Sequence, residues 1–202
     1  MHATRSVLAG LPAALLAALL AAFPASGAVA ETPLVLSDAG IAGVTMETPF
    51  NRRAVVEAVG PDYQVSAGML SLQGVTLPAY RVSQGDDPLF QILGPPHVHS
   101  RNEKILGIAS QSAAVSTPDG YRVGTRYEAI FGAAAEVSCV AGAETEAGKL
   151  ACVSPDGSRT FLIFGPPGGE AAEAPSDPAE RADWQVESLL WRGSPPPLHH
   201  YH

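Results

Sequence analysis

His97-Val98-His99 is the internal stretch whose residue types and spacing could do chemistry. In an extended backbone, side chains at i and i+2 project to the same side, so His97 and His99 could share a metal ion. Glu103, just beyond Ser100-Arg101-Asn102, is a candidate third ligand. A protein zinc site needs three or four ligands. The competing reading is an exposed polar loop after Gly94-Pro95-Pro96. A second cluster, His199-His200-Tyr201-His202, could hold copper, nickel or zinc loosely. Ligands on an unstructured end must be ordered on binding, which favours an end without a selected role.

Cys139 and Cys152 are the only cysteines. Their spacing is far longer than the C-x-x-C of a redox pair, whose thiols have lowered pKa values. A metal pair is the other rival. In an exported chain the default for an isolated pair is a disulfide. That bond would contribute roughly 3 kcal/mol by restricting the unfolded chain.

Other chemistry finds less support. The sequence has neither a G-x-S-x-G elbow nor an H-E-x-x-H helix. Gly165-Pro-Pro-Gly-Gly169 places prolines where a phosphate cradle needs backbone N–H groups. Tyr127, Phe131, Trp184 and Trp191 could line a pocket, but such residues more often pack a core. No cofactor is called for.

The export reading rests on the first thirty residues. Arg5 precedes an apolar run from Val7 to Phe23, and Ala28-Val29-Ala30 has the small-x-small pattern of a signal-peptidase site. The run falls short of the ~20 apolar residues of a spanning helix and contains Pro12. Cleavage after Ala30 is therefore expected, with periplasmic release and no membrane anchor. Of the 202 residues, 172 would remain, enough for one domain with a real core. Arg5 would leave with the leader, reducing the twelve cations to eleven against twenty acids. A chain this acidic repels phosphate backbones, so nucleic acid is not an expected partner.

The rest of the chain supplies the elements that must position these residues. Glu31 to Val44 reads as an extended lead-in with turns at Gly40 and Gly43. Thr48 as N-cap and Pro49 at the first helical position open an amphipathic helix of about three turns, with Phe50, Ala54, Val55 and Ala58 on its apolar face. Gly60-Pro61 stops it. Short strands follow at Tyr63–Met69, Leu77–Val82, Leu89–Leu93, Ile105–Ile108, Ala113–Val115 and Tyr121–Val123, punctuated by turn signals. Thr125-x-x-Glu128 reads as a capping box for a short helix ending at Gly132. Strands at Val137–Val140, Leu150–Val153 and Arg159–Phe164 come next. After a Pro- and Gly-rich loop, Asp177-Pro178 opens one helical turn, and Trp184–Trp191 is the last strand. In that strand Trp184, Val186 and Leu190 are expected on one face. The fold class is α+β: a mainly antiparallel sheet, meander-like, with a few short helices and one disulfide. Residues 31–192 form the domain, and 193–202 read as a disordered Pro- and His-rich tail.

The Cys139-to-Cys152 segment, followed by an apolar strand and closed by Trp184-Gln-Val-Glu-Ser-Leu-Leu-Trp191-Arg192, resembles the YfeY-like family of sigma-E-regulated bacterial envelope lipoproteins. Ser37-Asp38-Ala39-Gly40-Ile41, Thr48-Pro49-Phe50 and Gly124-Thr125 fit the same resemblance, which spans about Leu34 to Arg192. It implies an envelope domain of unknown function, with Cys139 and Cys152 as its disulfide and a role around envelope stress. It brings no catalytic residues. One departure matters: the region Phe23 to Glu31 has no cysteine to carry a lipid. The chain is therefore expected to be released rather than lipid-anchored. The expected function is that of a non-enzymatic soluble periplasmic protein, linked to envelope stress or integrity, whose partner is another envelope protein or a small ligand. The alternative is a periplasmic metal-binding protein using His97, His99 and the C-terminal histidines.

Overall fold

Eight strands, each paired antiparallel to its neighbours, form one sheet that organises the domain. The computed structural model describes residues 33–193 apart from 73, 98, 99, 101, 133–136, 143–145, 170–172 and 176. The expected leader and residues 194–202 of the expected tail lie outside the described residues. The chain divides into Met1–Glu31 and Thr32–His202, and all described elements belong to the second unit.

The lead-in holds β1 (Leu34–Val35) and two tight turns closed by Ser37–Gly40 and Ile41–Val44 bridges. Leu36, Ile41 and Val44 point from it into the core. Helix α1 (Arg52–Val59) then starts three residues later than the sequence suggests. Asn51, not Thr48, is the N-cap: its side chain accepts the Ala54 N–H. The Thr48 hydroxyl instead accepts the Thr45 N–H within the preceding turn. Local capping chemistry suits both residues, and the turn claims the first. Phe50, freed from the helix, packs against Tyr80 with ring centroids 4.9 Å apart.

Strands β2 (Gln64–Leu72), β3 (Val75–Gln84), β4 (Asp87–Leu93) and β5 (Gly107–Ser110) form the first meander. After β6 (Val115–Ser116), which pairs in parallel with β1, the chain passes through α2 (Tyr127–Phe131). The expected strand at Tyr121–Val123 is only a Ser116–Arg122 bridge. The second meander is β7 (Cys139–Ala141), β8 (Leu150–Val153), β9 (Thr160–Gly165) and β10 (Gln185–Arg192). The order β2-β3-β4-β5-β10-β9-β8-β7 joins the two meanders through the β5–β10 pair. The last strand thus sits at the centre, and β7 lies at the far edge.

The capping box before α2 is not made. The Thr125 hydroxyl accepts the Arg122 N–H, and the Glu128 N–H goes to the Ala182 carbonyl. The helix start is instead tied to the segment entering β10, where the Tyr127 N–H reaches the Trp184 carbonyl at 2.7 Å. Gly132 ends the helix as expected, with φ 66°.

One face of the sheet carries the main core, including Val82, Phe90, Ile92, Ile108, Leu162, Phe164, Leu189 and Trp191. On the other face Ala79, Leu93, Ala109 and Leu190 form a smaller cluster with Leu70, Leu72 and Phe161 beside it. Leu190 therefore does not share a face with Val186. A bulge between Val186 and Ser188 inserts one residue and reverses the alternation, so Leu189 and Trp191 continue the core face.

Candidate functional site

The two cysteines meet. Cys139 and Cys152 are directly opposed on β7 and β8 and form a disulfide with Cα atoms 4.0 Å apart. Cys152 is fully buried against the core, whereas Cys139 stands at the edge. The bond clamps the sheet's shortest main strand to its neighbour. Its thiols are consumed, so the pair is a staple, with no reactive thiol and no thiolate ligand left among the two.

His97 is exposed in the loop after β4, and His99 lies outside the described residues, as do His199, His200 and His202. The Glu103 carboxylate accepts the Ser100 N–H at 3.2 Å, folding the loop on itself. Among the described residues, no three His, Cys, Asp or Glu side chains gather as a metal site. The metal-binding alternative therefore gains no ligand set from the fold.

The fold also gathers charged groups that are far apart in the sequence. A cleft of about 320 Å³ opens between the loop Gly165–Gly169 and the start of β10, lined also by Val123 and Gly124. Glu187, the residue within the β10 bulge, lies on its wall. Gly165 makes room for it: a Cβ there would stand 2.1 Å from the Glu187 carboxylate. Lys149, just before β8, reaches Glu187 at 3.3 Å and Glu146 at 3.0 Å. Partial burial pulls the Lys149 ammonium toward neutrality, but hydrogen bonds and attraction from both carboxylates outweigh it and raise its pKa above 10.5. A lysine held charged between two acids is a poor nucleophile and a poor base. The triad's evident work is mechanical: it ties the β7–β8 hairpin to the central strand.

The Gly165–Gly169 loop does not cradle an anion. Pro166 and Pro167 have no N–H, and the Gly169 N–H is turned back toward the Pro166 carbonyl. Nor do the aromatic candidates line the cleft. Tyr127, Trp184 and Trp191 are buried, and Tyr127, Phe131 and Phe164 pack ring on ring at 5.0–5.9 Å. The Lys149–Glu187 pair was hidden because it joins positions 38 residues apart through a bulge; a lysine three residues after a glutamate was the only local sign.

Residues 25–193 match a family model described as "Protein of unknown function (DUF1131)". The chain is 23% identical over 159 residues to "Uncharacterized protein YfeY" of Escherichia coli (strain K12), covering 78% of each. The crystal structure of the uncharacterized protein yfeY from Escherichia coli aligns with a TM-score of 0.59 at 22% identity. That alignment covers 78% of this chain and 99% of that one, and it shows a shared fold.

Proposed function

We propose that this chain, which belongs to the DUF1131 family of proteins of unknown function, is an exported, soluble, non-enzymatic protein of the periplasm that acts by binding another envelope component. A contribution to envelope integrity under stress is part of this reading and rests on the family resemblance. The observation that carries the non-enzymatic part is the Glu146–Lys149–Glu187 triad, because Glu187, the charged residue lining the cleft, is held in an ion pair with Lys149, which also pairs with Glu146. Export is supported by the leader-like first thirty residues and by the Cys139–Cys152 disulfide, since such bonds persist in oxidising compartments. The domain boundaries at residues 31 and 192 belong to the same proposal, although Gly193 is still bonded to Leu106 and Arg159.

Expression in a Gram-negative host tests both parts. The expected product is found in the osmotic-shock fraction, begins at Glu31 and carries no free thiol. Protein that keeps Met1 in the cytoplasm, with both thiols reduced, overturns export. In-cell photo-crosslinking should capture an envelope component. Turnover of any substrate that disappears in the Lys149→Met variant, while the fold persists, overturns the non-enzymatic reading. Stoichiometric metal in untagged protein, lost in a His97→Ala/His99→Ala variant, would turn the assignment to the metal-binding alternative.

A further inference from the structure

The two edges of the sheet differ. Edge strands expose unpaired N–H and C=O groups, and proteins usually blunt them with charge, proline, bulges or brevity. At one end β7 has three residues and is stapled. At the other, β2 has nine residues, Gln-Val-Ser-Ala-Gly-Met-Leu-Ser-Leu, with no charge and no proline. Its register with β3 runs from Gln64–Ser83 to Leu72–Val75 without a bulge. Most of the strand is exposed, Met69 at 59%. Among the described residues, no backbone hydrogen bond reaches β2 from outside the sheet; only the Arg52 guanidinium approaches the Val65 carbonyl, at 3.5 Å.

The hairpin also projects. β4 pairs with β3 only from Ala79 onward, and the Gly94 N–H adds one bond to the Pro78 carbonyl. Leu70–Leu77 thus extends about 10 Å beyond the third strand. From Tyr63 to Gly85 the only charged residue is Arg81.

From this edge we infer that two copies of the chain join their sheets through antiparallel β2–β2 pairing about a twofold axis near Gly68. Charge selects this occupant. The chain carries a net −8, so copies repel over most of their surface, but the β2–β3 hairpin contains no acid. Antiparallel pairing sets Asp62 of one copy beside the Leu72–Val75 turn of the other, whereas parallel pairing would align Asp62 with Asp62. Antiparallel strands of nine residues exchange about nine backbone hydrogen bonds, close to the ten or so of a typical protein interface. The twofold uses both free edges at once, and the stapled β7 offers no comparable template, so association closes at the dimer.

Sedimentation equilibrium of the purified chain between about 1 and 200 µM tests this, over a range where specific homodimers form. The expected result is a rise to twice the monomer mass. An Ala67→Lys/Met69→Lys variant, carrying cations at exposed edge positions, should remain a monomer throughout. Val140→Lys, on the opposite edge, should dimerise as the wild type does. Hydrogen exchange on the unsubstituted chain provides a readout independent of any variant's folding: β2 amides should slow as concentration rises, while β7 amides do not change. Wild type that stays monomeric, a dimer that survives the paired lysines, or β2 amides indifferent to concentration would each overturn the inference. Slowing of β2 exchange only on addition of an extended peptide would assign the edge to a different strand donor and likewise overturn self-pairing.

Discussion

Reduction of the Cys139–Cys152 bond should destabilise the domain by an amount that its geometry sets. The bond links residues 13 apart in sequence, and closing a loop of that size in the unfolded chain is worth about 3 kcal/mol. In the folded state the staple adds little backbone restraint, because the two residues are already opposed in the β7–β8 register. The effect should therefore fall mainly on the unfolded chain. For a domain of this size, 1 kcal/mol shifts Tm by ~2–4 °C, so reductant should lower Tm by about 6–12 °C. The Cys139→Ala/Cys152→Ala variant should fall further, because the fully buried Cys152 sulfur is then lost as well, at roughly 1 kcal/mol. Calorimetry of the wild type with and without a phosphine reductant, beside the double variant, separates the two contributions. The reductant should not move the variant. A wild-type shift below 2 °C, with complete reduction verified by mass, would refute the cross-link argument.

Two further predictions follow from single side chains. Gly40 has φ +104°, and a Cβ there would lie 1.8 Å from the Val44 carbonyl oxygen, so Gly40→Ala should destabilise by about 3 kcal/mol or more, read as a fall in denaturation midpoint. An unchanged midpoint would mean that the lead-in turn can rearrange at little cost. Lys149 has its pKa raised by Glu146 and Glu187, so its contribution is fully present below pH 10.5 and is lost as pH climbs through the higher folded value. Lys149→Met should therefore show a flatter alkaline limb in a plot of Tm against pH than the wild type, and superimposable limbs would contradict the pairing.

The sequence made much of the fold readable because the signals were local. Alternation and turn residues located the main strands, and Gly60 and Gly132 ended their helices where expected. The misread features depend on information that no short window contains. Thr48 and Thr125 are good capping residues, but each hydroxyl accepts a different N–H because the incoming chain is already turned. Simple alternation puts Leu190 on the wrong face because the bulge between Val186 and Ser188 leaves no mark in the residue types. The same bulge carries Glu187 to Lys149, so one backbone irregularity explains both the misplaced face and the unforeseen triad. The β5–β10 pair, which unites two otherwise local meanders, is equally non-local. The disulfide could be anticipated because compartment chemistry, rather than register, argued for it.

Net charge alone does not account for an edge as open as β2. A charge of −8 keeps molecules apart at long range, but at physiological salt that repulsion decays over a Debye length of about 8 Å. The nine residues of β2 extend for about 30 Å, and the flanking acids Asp62 and Asp86 both lie at one end of the hairpin, away from its turn. Most of the strand is thus out of reach of the acids that would deter a neighbour. At the opposite edge the chain supplies brevity and a covalent staple. An unblunted strand that electrostatics cannot screen is a standing template for association, and a closed twofold pair is the arrangement that satisfies its N–H and C=O groups without leaving a new edge to extend.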